Sequence, residues 1–340
     1  MTSTRERFLV TGALGCIGAW TVRTLVRDGA AVTALDLGRD DRRLRQIMTP
    51  EEIASVEFVA GDITDLETIE RTLDASGITN VIHLAALQVP FSRADPPLGA
   101  RVNVVGTVNI FEAVRRRGGA QAPIVYTSSI GMYAQADADP SSGRLAADAT
   151  AHPLNHYGVY KLANEGNARV YWLDDSVASI GVRPMTVYGV GRDQGMTSGP
   201  TKAIVAAVLG QPYTVPFGGP TLFQYAEDVA QTLIAASRSG LAGAEVYNLP
   251  GSVADGPALL AAIEASVPDA AGLIRFEPIG LPFPSEIDHD GIEALGPLPQ
   301  TSFPDGVAAS VAIYRELAAA GRLDPAAHGL EPAAAPSTGS

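Results

Sequence analysis

The first half of the chain alternates short apolar runs with longer segments in which apolar residues recur every three or four positions. The short runs predict β-strands and the periodic segments predict α-helices. The predicted strands lie at 7–11, 31–36, 56–60, 80–84, 124–129 and, with the turn that follows it, 180–189. This alternation predicts an α/β fold with a doubly wound parallel sheet.

The pattern changes after Gly191, where the regular alternation stops. Helices are predicted at 200–209, 257–266 and 303–320, with one more beginning near Asp228, and short strands at 211–215 and 245–249. We therefore expect a main domain at 1–190, to which 224–250 returns, and a smaller C-terminal substrate-binding lobe at 191–223 and 251–330. The low-complexity segment 331–340 should be a flexible tail.

Composition narrows the class of protein. Hydrophobic residues make up 46% and charged residues 18% of the 340 residues, which is typical of a globular protein with a sizeable core. We expect no membrane span, no signal peptide and no nucleic-acid partner, since the net charge of −13 opposes phosphate binding. The single cysteine, Cys16, excludes an internal disulfide and favours a cytoplasmic location.

A glycine-rich turn joins the first predicted strand to the first predicted helix. Gly12 permits a tight turn, Gly15 lets the backbone approach a pyrophosphate, and Gly18 lets the helix pack on the strand. An ordinary βα turn is the alternative, but the strand and helix on either side favour a dinucleotide-binding turn. The main domain is therefore expected to be Rossmann-like.

Acidic residues follow the second and third predicted strands. Asp36 could accept hydrogen bonds from an adenosine ribose and would repel a 2′-phosphate, so it favours NAD over NADP. Arg39 argues the other way, because an arginine there could hold that phosphate. Asp62 could accept from the adenine amino group with Ile63 over the ring, while neighbouring polar residues cap the next helix.

The carboxyl ends of parallel strands meet at one edge of a sheet, where ligands bind. Six residues of different strand ends should therefore converge on one crevice: Gly12, Asp36, Asp62, Ala85, Ser129 and Thr186. Small residues around Ala85 leave room there for a cofactor. We interpret His83, which precedes them, as a buried core residue rather than a catalyst.

Tyr157 and Lys161 occupy positions i and i+4 of a predicted helix, so their side chains share a face. A nearby ammonium group favours the phenolate and lowers the pKa of the tyrosine. Such a phenol could exchange a proton near neutral pH. This spacing also arises by chance on exposed helices, so its meaning depends on the surrounding motifs.

Seven motifs occur in a fixed order: T-G-x-x-G-x-x-G at 11–18, G-D at 61–62, H-L-A-A at 83–86, N-V-x-G-T at 103–107, S-S at 128–129, Y-G-x-x-K at 157–161 and R-P-x-x-V-Y-G at 183–189. Over about 6–250 the chain thus resembles the extended short-chain dehydrogenase/reductase family, which includes NAD-dependent sugar epimerases and dehydratases. The resemblance implies hydride transfer between a bound NAD and a substrate alcohol or carbonyl.

The resemblance also implies residue roles. Tyr157 would be the acid/base, Lys161 would lower its pKa and hold the nicotinamide ribose, and Ser129 rather than Ser128 would bind the substrate oxygen. The implied cofactor-binding residues are Gly12, Gly15, Cys16, Ile17, Gly18, Asp36, Asp62, Ile63, Leu84, Ala85, Ala86, Asn103, Tyr157, Lys161 and Pro184. The substrate candidates are Gln88, Ser129, Thr186 and Arg192. No metal is expected, and the family commonly forms homodimers through helices 98–117 and 157–172.

The chain departs from the family pattern at informative places. Ile130-Gly131 replaces the Asp-Glu pair of the dehydratases, so the groups for water elimination are missing. Thr221 stands where nucleotide-sugar enzymes carry a phosphate-binding arginine, and Thr186 where many carry asparagine. Although Arg192 or Lys202 could replace that contact, we expect a small polar substrate such as a sugar, sugar acid or polyol.

Three hypotheses follow for the function. The first is an NAD-dependent dehydrogenase that releases NADH. The second is a sugar or nucleotide-sugar epimerase that uses the same residues and retains its NAD. The third, a non-catalytic NAD-binding protein, is disfavoured because such relatives usually lose the tyrosine or the lysine and here Tyr157 and Lys161 are both present.

Overall fold

The computed structural model describes residues 6–330, so the tail expected at 331–340 lies outside the described residues. The strands are β1 Arg7–Thr11, β2 Ala31–Asp36, β3 Glu57–Ala60, β4 Asn80–His83, β5 Ile124–Thr127, β6 Arg144–Leu145, β7 Ser179–Arg183, β8 Thr186–Tyr188, β9 Tyr213–Val215, β10 Thr221–Tyr225, β11 Ala244–Asn248, β12 Ser252–Ala254, β13 Ile274–Phe276 and β14 Glu286–Ile287.

The helices are α1 Cys16–Arg27, α2 Arg42–Ile47, α3 Pro50–Ala54, α4 Leu66–Ala75, α5 Val89–Ala94, α6 Pro96–Ala100, α7 Gly106–Arg116, α8 His156–Asp175, α9 Gly199–Val208, α10 Ala226–Arg238, α11 Gly256–Ser266 and α12 Phe303–Ala319. Within residues 6–330, no helix combines the length and apolar character needed to cross a bilayer.

Seven parallel strands form the central sheet in the order β11-β7-β5-β4-β1-β2-β3. The chain winds outward from β1 in both directions, and this reversal opens a crevice at the carboxyl ends of β1 and β4. The predicted Rossmann-like, doubly wound parallel sheet is therefore confirmed. The strand at the far edge, β11, comes from the segment that was expected to return to this domain.

The central strands are apolar on both faces because helices cover both sides of the sheet. Along β1, Leu9 packs into a core with α4 and α7, whereas Phe8 and Val10 face the opposite core with α1 and α10. Trp20 of α1 is fully buried in that second core. The sheet is thus held rigidly between two layers, which fixes the positions of its strand ends.

The smaller lobe is built around α9, α11 and α12, which pack on one another and on short strands. A three-stranded sheet, β12-β10-β8, joins it to the main domain. The segment predicted as a strand and the turn that follows it, 180–189, contains two strands, β7 and β8, which lie in different sheets. Pro184, between them, lacks the N–H group that a continuous strand would use. Strand β10 was not predicted, and α10 begins at Ala226 rather than near Asp228.

Two segments around the crevice also differ from expectation. The proline-containing sequence of 87–97 predicts an irregular segment over the crevice, but the stretch contains α5 and the start of α6. Its prolines occupy first-turn positions, where the missing N–H group has no helical partner to lose. The predicted helix 98–117 is interrupted by a π-helical turn at Arg101–Val105.

Candidate active site

A cavity of about 650 Å³ opens at the carboxyl ends of the central strands. With one exception, Asn103, it is lined by every cofactor and substrate residue predicted from the sequence: Gly12, Gly15, Cys16, Ile17, Gly18, Asp36, Asp62, Ile63, Leu84, Ala85, Ala86, Gln88, Ser129, Tyr157, Lys161, Pro184, Thr186 and Arg192. The residues expected to converge on a single crevice therefore do so.

The glycine-rich turn is packed so closely that side chains cannot replace two of its glycines. A Cβ atom on Gly12, whose φ is +67°, would lie 2.6 Å from the Ala85 backbone nitrogen. A Cβ atom on Gly18 would lie 2.2 Å from the Gly12 carbonyl oxygen. The helix that follows begins at Cys16 without a side-chain cap, so its N-terminal end is available to an anionic ligand such as a pyrophosphate.

The carboxylate of Asp36 is oriented by backbone donors at the far end of the cavity. Leu14 N donates to one carboxylate oxygen at 2.9 Å and Leu37 N to the other at 2.8 Å. Arg39, the residue that argued for NADP, is exposed and does not line the cavity, whereas Asp40 does. The wall around an adenosine ribose would therefore be acidic, which fits NAD.

Asp62 lines the cavity, and a neighbouring aspartate caps the helix that follows. Asp62 lines the cavity while its Oδ1 accepts from Thr64 N at 2.8 Å. The helix cap comes from Asp65, whose Oδ1 accepts from Glu67 N at 3.2 Å. The helix is thus capped without using the carboxylate that faces the cavity.

Asn103 is the predicted cofactor residue that does not line the cavity. Leu87 N donates to its Oδ1 at 2.8 Å, and its Nδ2 donates to Leu87 O at 3.0 Å and to Ser92 Oγ at 3.2 Å. Its amide is thus occupied in holding the segment after β4. The structure therefore gives Asn103 a structural role, and its predicted contact with the cofactor stays a prediction.

His83 is a buried core residue, as expected. Its Nδ1 lies 2.7 Å from Thr11 Oγ1 and its Nε2 lies 3.0 Å from Thr107 Oγ1. Burial lowers its pKa to about 3, so it is neutral at physiological pH. These contacts join the ends of β1 and β4 to α7, beside the glycine-rich turn.

The three predicted catalytic side chains meet in the middle of the cavity. The Ser129 hydroxyl accepts from Gly131 N at 2.9 Å and lies beside the ring of Tyr157, since a Cβ atom on Gly131 would lie 3.1 Å from Ser129 Oγ and 3.7 Å from Tyr157 Cε1. Asn155 caps the helix that carries Tyr157, since its Oδ1 accepts from Gly158 N at 2.9 Å. Lys161 lies one turn further on, with Nζ 5.5 Å from the centroid of the tyrosine ring.

The neighbouring serine points elsewhere. Ser128 Oγ donates to a carboxylate oxygen of Glu165 at 2.5 Å, and Glu165 also binds the Arg183 guanidinium at 2.7 Å. Ser128 is therefore committed to an ion-paired network behind the cavity. This leaves Ser129 as the hydroxyl that faces the phenol of Tyr157, in agreement with the sequence-based choice.

The electrostatics of the phenol differ from the expectation that Lys161 lowers its pKa. Burial raises the pKa of Tyr157, while the hydrogen bond from Ser129 and the charge of Arg192 act to lower it. Lys161 Nζ instead donates to Thr127 O at 2.6 Å, and burial lowers the pKa of Lys161 to about 8. The phenol thus depends on Ser129 and Arg192 for stabilisation of its ionised form.

The substrate end of the cavity lacks the arginine of nucleotide-sugar enzymes. Thr186 and Thr221 are fully buried, with their hydroxyl oxygens 2.9 Å apart, and Thr221 does not line the cavity. Lys202, considered as a substitute, does not line it either. Arg192 does, and its Nη2 donates to Thr197 Oγ1 at 3.2 Å.

Arg43 and Asp193 line the cavity but were missed from the sequence. Arg43 donates to Leu14 O at 2.8 Å, to Gly191 O at 3.1 Å and to Asp193 Oδ1 at 2.7 Å. It therefore fastens the glycine-rich turn to the segment that carries Arg192. The sequence does not distinguish Arg43 from its neighbours. It lies in an arginine-rich stretch, 39–45, whose composition is typical of a solvent-exposed helix face.

Comparison with known proteins identifies relatives over most of the chain. The model of the NAD-dependent epimerase/dehydratase family matches residues 8–249. A UDP-glucose 4-epimerase from Mycolicibacterium smegmatis is 30% identical over 317 residues, which is 91% of this chain and 98% of that protein.

Solved structures with the same architecture include enzymes of different names. A Thermus thermophilus UDP-glucose 4-epimerase in complex with NAD superposes with a TM-score of 0.75 at 25% identity, covering 91% of this chain and 99% of its own. A partial consensus L-threonine 3-dehydrogenase superposes with a TM-score of 0.79 at 24% identity, covering 92% and 100%. The second likeness concerns the fold alone.

Proposed function

Because the chain belongs to the NAD-dependent epimerase/dehydratase family and is an NAD-dependent enzyme, we propose that it is a dehydrogenase acting on a secondary alcohol of a small polar substrate. A sugar, a sugar acid or a polyol would fit this description. The observation that carries the proposal is the placement of Ser129 and Tyr157 side by side in the cavity, with Lys161 one helical turn away.

The residues of the cavity divide the reaction between them. The glycine-rich turn and Asp36 would hold NAD, which would supply the hydride acceptor. Tyr157 takes the hydroxyl proton of the alcohol, and Ser129 hydrogen-bonds the same oxygen and keeps it beside the phenol. Lys161, whose Nζ lies 5.5 Å from the ring of Tyr157, would hold the nicotinamide ribose.

Two features of the cavity favour a small substrate over a nucleotide sugar. Thr221, at the position of the usual phosphate-binding arginine, is fully buried and bonded to Thr186. The larger segment of the smaller lobe, 251–330, contributes a single residue, Phe283, to the lining of the cavity. A cavity that must also hold a dinucleotide thus has few groups with which to bind a second nucleotide.

The test is turnover with a panel of polyols, hydroxy acids and free sugars in the presence of NAD. Wild-type protein should release NADH with at least one of them. Tyr157→Phe should lower kcat by about 100- to 10,000-fold, because the general base is lost. NAD should still stabilise the variant, by about 2.7 kcal/mol at a hundredfold excess over its Kd. NADH release by Tyr157→Phe at the wild-type rate would contradict the assignment.

A UDP-sugar 4-epimerase is the second candidate, because the Mycolicibacterium smegmatis relative of that name matches nearly full length. An epimerase would retain NAD through purification and invert UDP-glucose without releasing NADH. A dehydrogenase would release NADH and leave UDP-glucose unchanged. Incubation with UDP-glucose, followed by chromatography of the sugar nucleotides and measurement of free NADH, separates the two.

A further inference from the structure

Arg192 is an arginine of the cavity wall that has no carboxylate partner among residues 6–330. Its Nη2 donates to Thr197 Oγ1, but its Nε is buried and has no hydrogen-bond partner within the described part of the chain. Arg43, the other arginine of the lining, differs because Asp193 pairs with it at 2.7 Å. A buried charged donor without an acceptor is costly in a folded protein unless a ligand completes it.

The positive charge of Arg192 affects the pKa of Tyr157. It acts to lower the pKa of Tyr157, and Tyr157 in turn acts to raise the pKa of Arg192, against the effect of burial. Both side chains line the same cavity. An anion bound by Arg192 would therefore share the cavity with the hydroxyl group that Tyr157 deprotonates.

The backbone around Arg192 is held firmly, so this side chain differs from a mobile surface arginine. Asp193 receives hydrogen bonds from Arg42 at 3.1 Å and from Arg43 at 2.7 Å. Gly191 N donates to the Tyr314 hydroxyl at 3.3 Å. These contacts fix the residues on both sides of Arg192, which is the preorganisation that a binding site requires.

The side-chain oxygen of Gln88 lies near the Arg192 guanidinium in the cavity lining. A Cβ atom on Gly195 would lie 2.0 Å from Gln88 Oε1 and 3.2 Å from Arg192 Nη2, so both groups converge above this glycine. Gln88 Oε1 is buried and, like Arg192 Nε, has no partner among the described residues. The cavity thus presents a positively charged donor and a neutral acceptor side by side, next to Tyr157.

We propose that the substrate is a small hydroxy acid, whose carboxylate binds Arg192 while its alcohol binds Ser129 and Tyr157. A planar guanidinium suits a carboxylate because it can donate two parallel hydrogen bonds. The C–H hydrogen and its electron pair would pass to NAD, the O–H proton to Tyr157, and a keto acid would form. The net charge of −13 makes such a local cation necessary for an anionic substrate. The inference rests on the proposed dehydrogenase function.

The diphosphate of NAD is the competing anion, because the charge of Arg192 also acts on Cys16 at the glycine-rich turn. Measuring KM for NAD and for the hydroxy acid shows which of the two anions binds Arg192. Arg192→Met should raise KM for the hydroxy acid by about 10- to 150-fold, the range for a hydrogen bond to a charged group, and leave KM for NAD unchanged. A rise in KM for NAD alone would overturn the proposal.

The substrates should be glycerate, 3-hydroxybutyrate and aldonates, each compared with its primary amide. Wild-type protein should prefer the acids, and Arg192→Met should abolish this preference. Loss of the positive charge near Tyr157 should lower kcat for acids and amides alike, so the ratio of kcat/KM for acid to that for amide is the quantity compared. The matched control is Arg45→Met, at an exposed arginine whose carboxylate partner among residues 6–330 is Asp41, the residue that precedes its helix. An unchanged preference for the acids in Arg192→Met, or a wild-type preference for the amides, would show that no carboxylate binds there.

Failure of the dehydrogenase function is distinguishable from failure of this inference. If neutral polyols yield NADH and acids do not, the dehydrogenase stands and the hydroxy-acid substrate is excluded. If no compound yields NADH, calorimetric titration of the NAD-loaded protein with 3-hydroxybutyrate still tests the site. Binding that is lost in Arg192→Met supports the carboxylate site, and absence of binding to the wild-type protein rejects it.

Discussion

Ser129 is the residue through which the protonation of Tyr157 can be tuned. Its hydrogen bond lowers the pKa of a phenol that burial otherwise raises. Ser129→Ala should therefore raise the pKa of Tyr157, and the acidic limb of the pH profile of alcohol oxidation should move to higher pH. The measurement is kcat/KM against pH for both proteins.

The adjacent serine supplies a matched control for that experiment. Ser128 donates to Glu165 and has no bond to Tyr157, so Ser128→Ala should leave the acidic limb where it is in the wild-type protein. Equal displacement of the limb in both variants would mean that Ser129 acts through the general polarity of the site. In that case the specific bond to Tyr157 would not be the cause.

His328 should make the fold sensitive to acid. It is 1% exposed, packs edge-on against Tyr314 with ring centroids 5.6 Å apart, and neither ring nitrogen has a partner within the described residues. Burial lowers its pKa to about 4, whereas a histidine in an unfolded chain titrates near 6.5. The charged groups whose fields reach it are Asp193, Lys202, Arg42 and Asp324.

The sign of the effect follows from which state binds the proton first. As pH falls below about 6.5, the unfolded chain takes up a proton on His328 and the folded chain does not, so stability decreases until about pH 4. Between pH 7 and pH 5 the loss should be on the order of 2 kcal/mol. His328→Leu should lose that much less in urea unfolding over the same range. His156→Leu, at an exposed histidine, should follow the wild-type protein.

At the scale of elements, the junction of β1 and α1 depends on the absence of a side chain at Gly18. Gly18→Ala would place a Cβ atom 2.2 Å from Gly12 O and 2.8 Å from Ala13 Cα, and both neighbours are backbone atoms that cannot rotate away. We expect a loss of about 1 to 3 kcal/mol in unfolding free energy and loss of stabilisation by NAD. Gly280→Ala, where a Cβ atom meets nothing within 4 Å, should change neither property.

The elements that were predictable are those buried on both faces. Strand β1 is an uninterrupted apolar run because helices cover both sides of the sheet, and the glycine-rich turn at its end has a spacing with a known physical purpose. The sequence did not predict β8 or β10 as separate strands. Each is short and lies directly next to another strand or helix. Their pairing depends on contacts between distant parts of the chain, which no local pattern reports.

The same distinction holds for the site. Tyr157 and Lys161 could be predicted to lie together because positions i and i+4 share one helix face, whereas Ser129 was indicated by the family resemblance. Arg43 could not be predicted, since its role arises from acceptors near Leu14 and Asp193 that are distant in sequence. The motif around Asn103 does not reveal that its amide turns toward Leu87 and away from the cavity lining.

For the whole molecule, the expected assembly depends on one face of α8. Val159, Leu162, Val170 and Leu173 recur at helical spacing on this face and are between 38% and 66% exposed. Apolar stripes of this kind on a soluble protein mark contact surfaces. The expected homodimer would bury them against the same face of a second copy, in an isologous interface.

The prediction is that two lysines on this stripe separate the subunits without unfolding them. In Val170→Lys/Leu173→Lys, like charges would meet across the two-fold axis, so light scattering at micromolar concentration should give half the wild-type mass. Because both side chains are already more than half exposed in the single chain, the thermal midpoint of the isolated subunit should change little. Ile279→Lys, at an equally exposed apolar residue of the smaller lobe, should keep the wild-type mass. A wild-type protein of monomeric mass under these conditions would mean that the stripe on α8 does not join two copies of this chain.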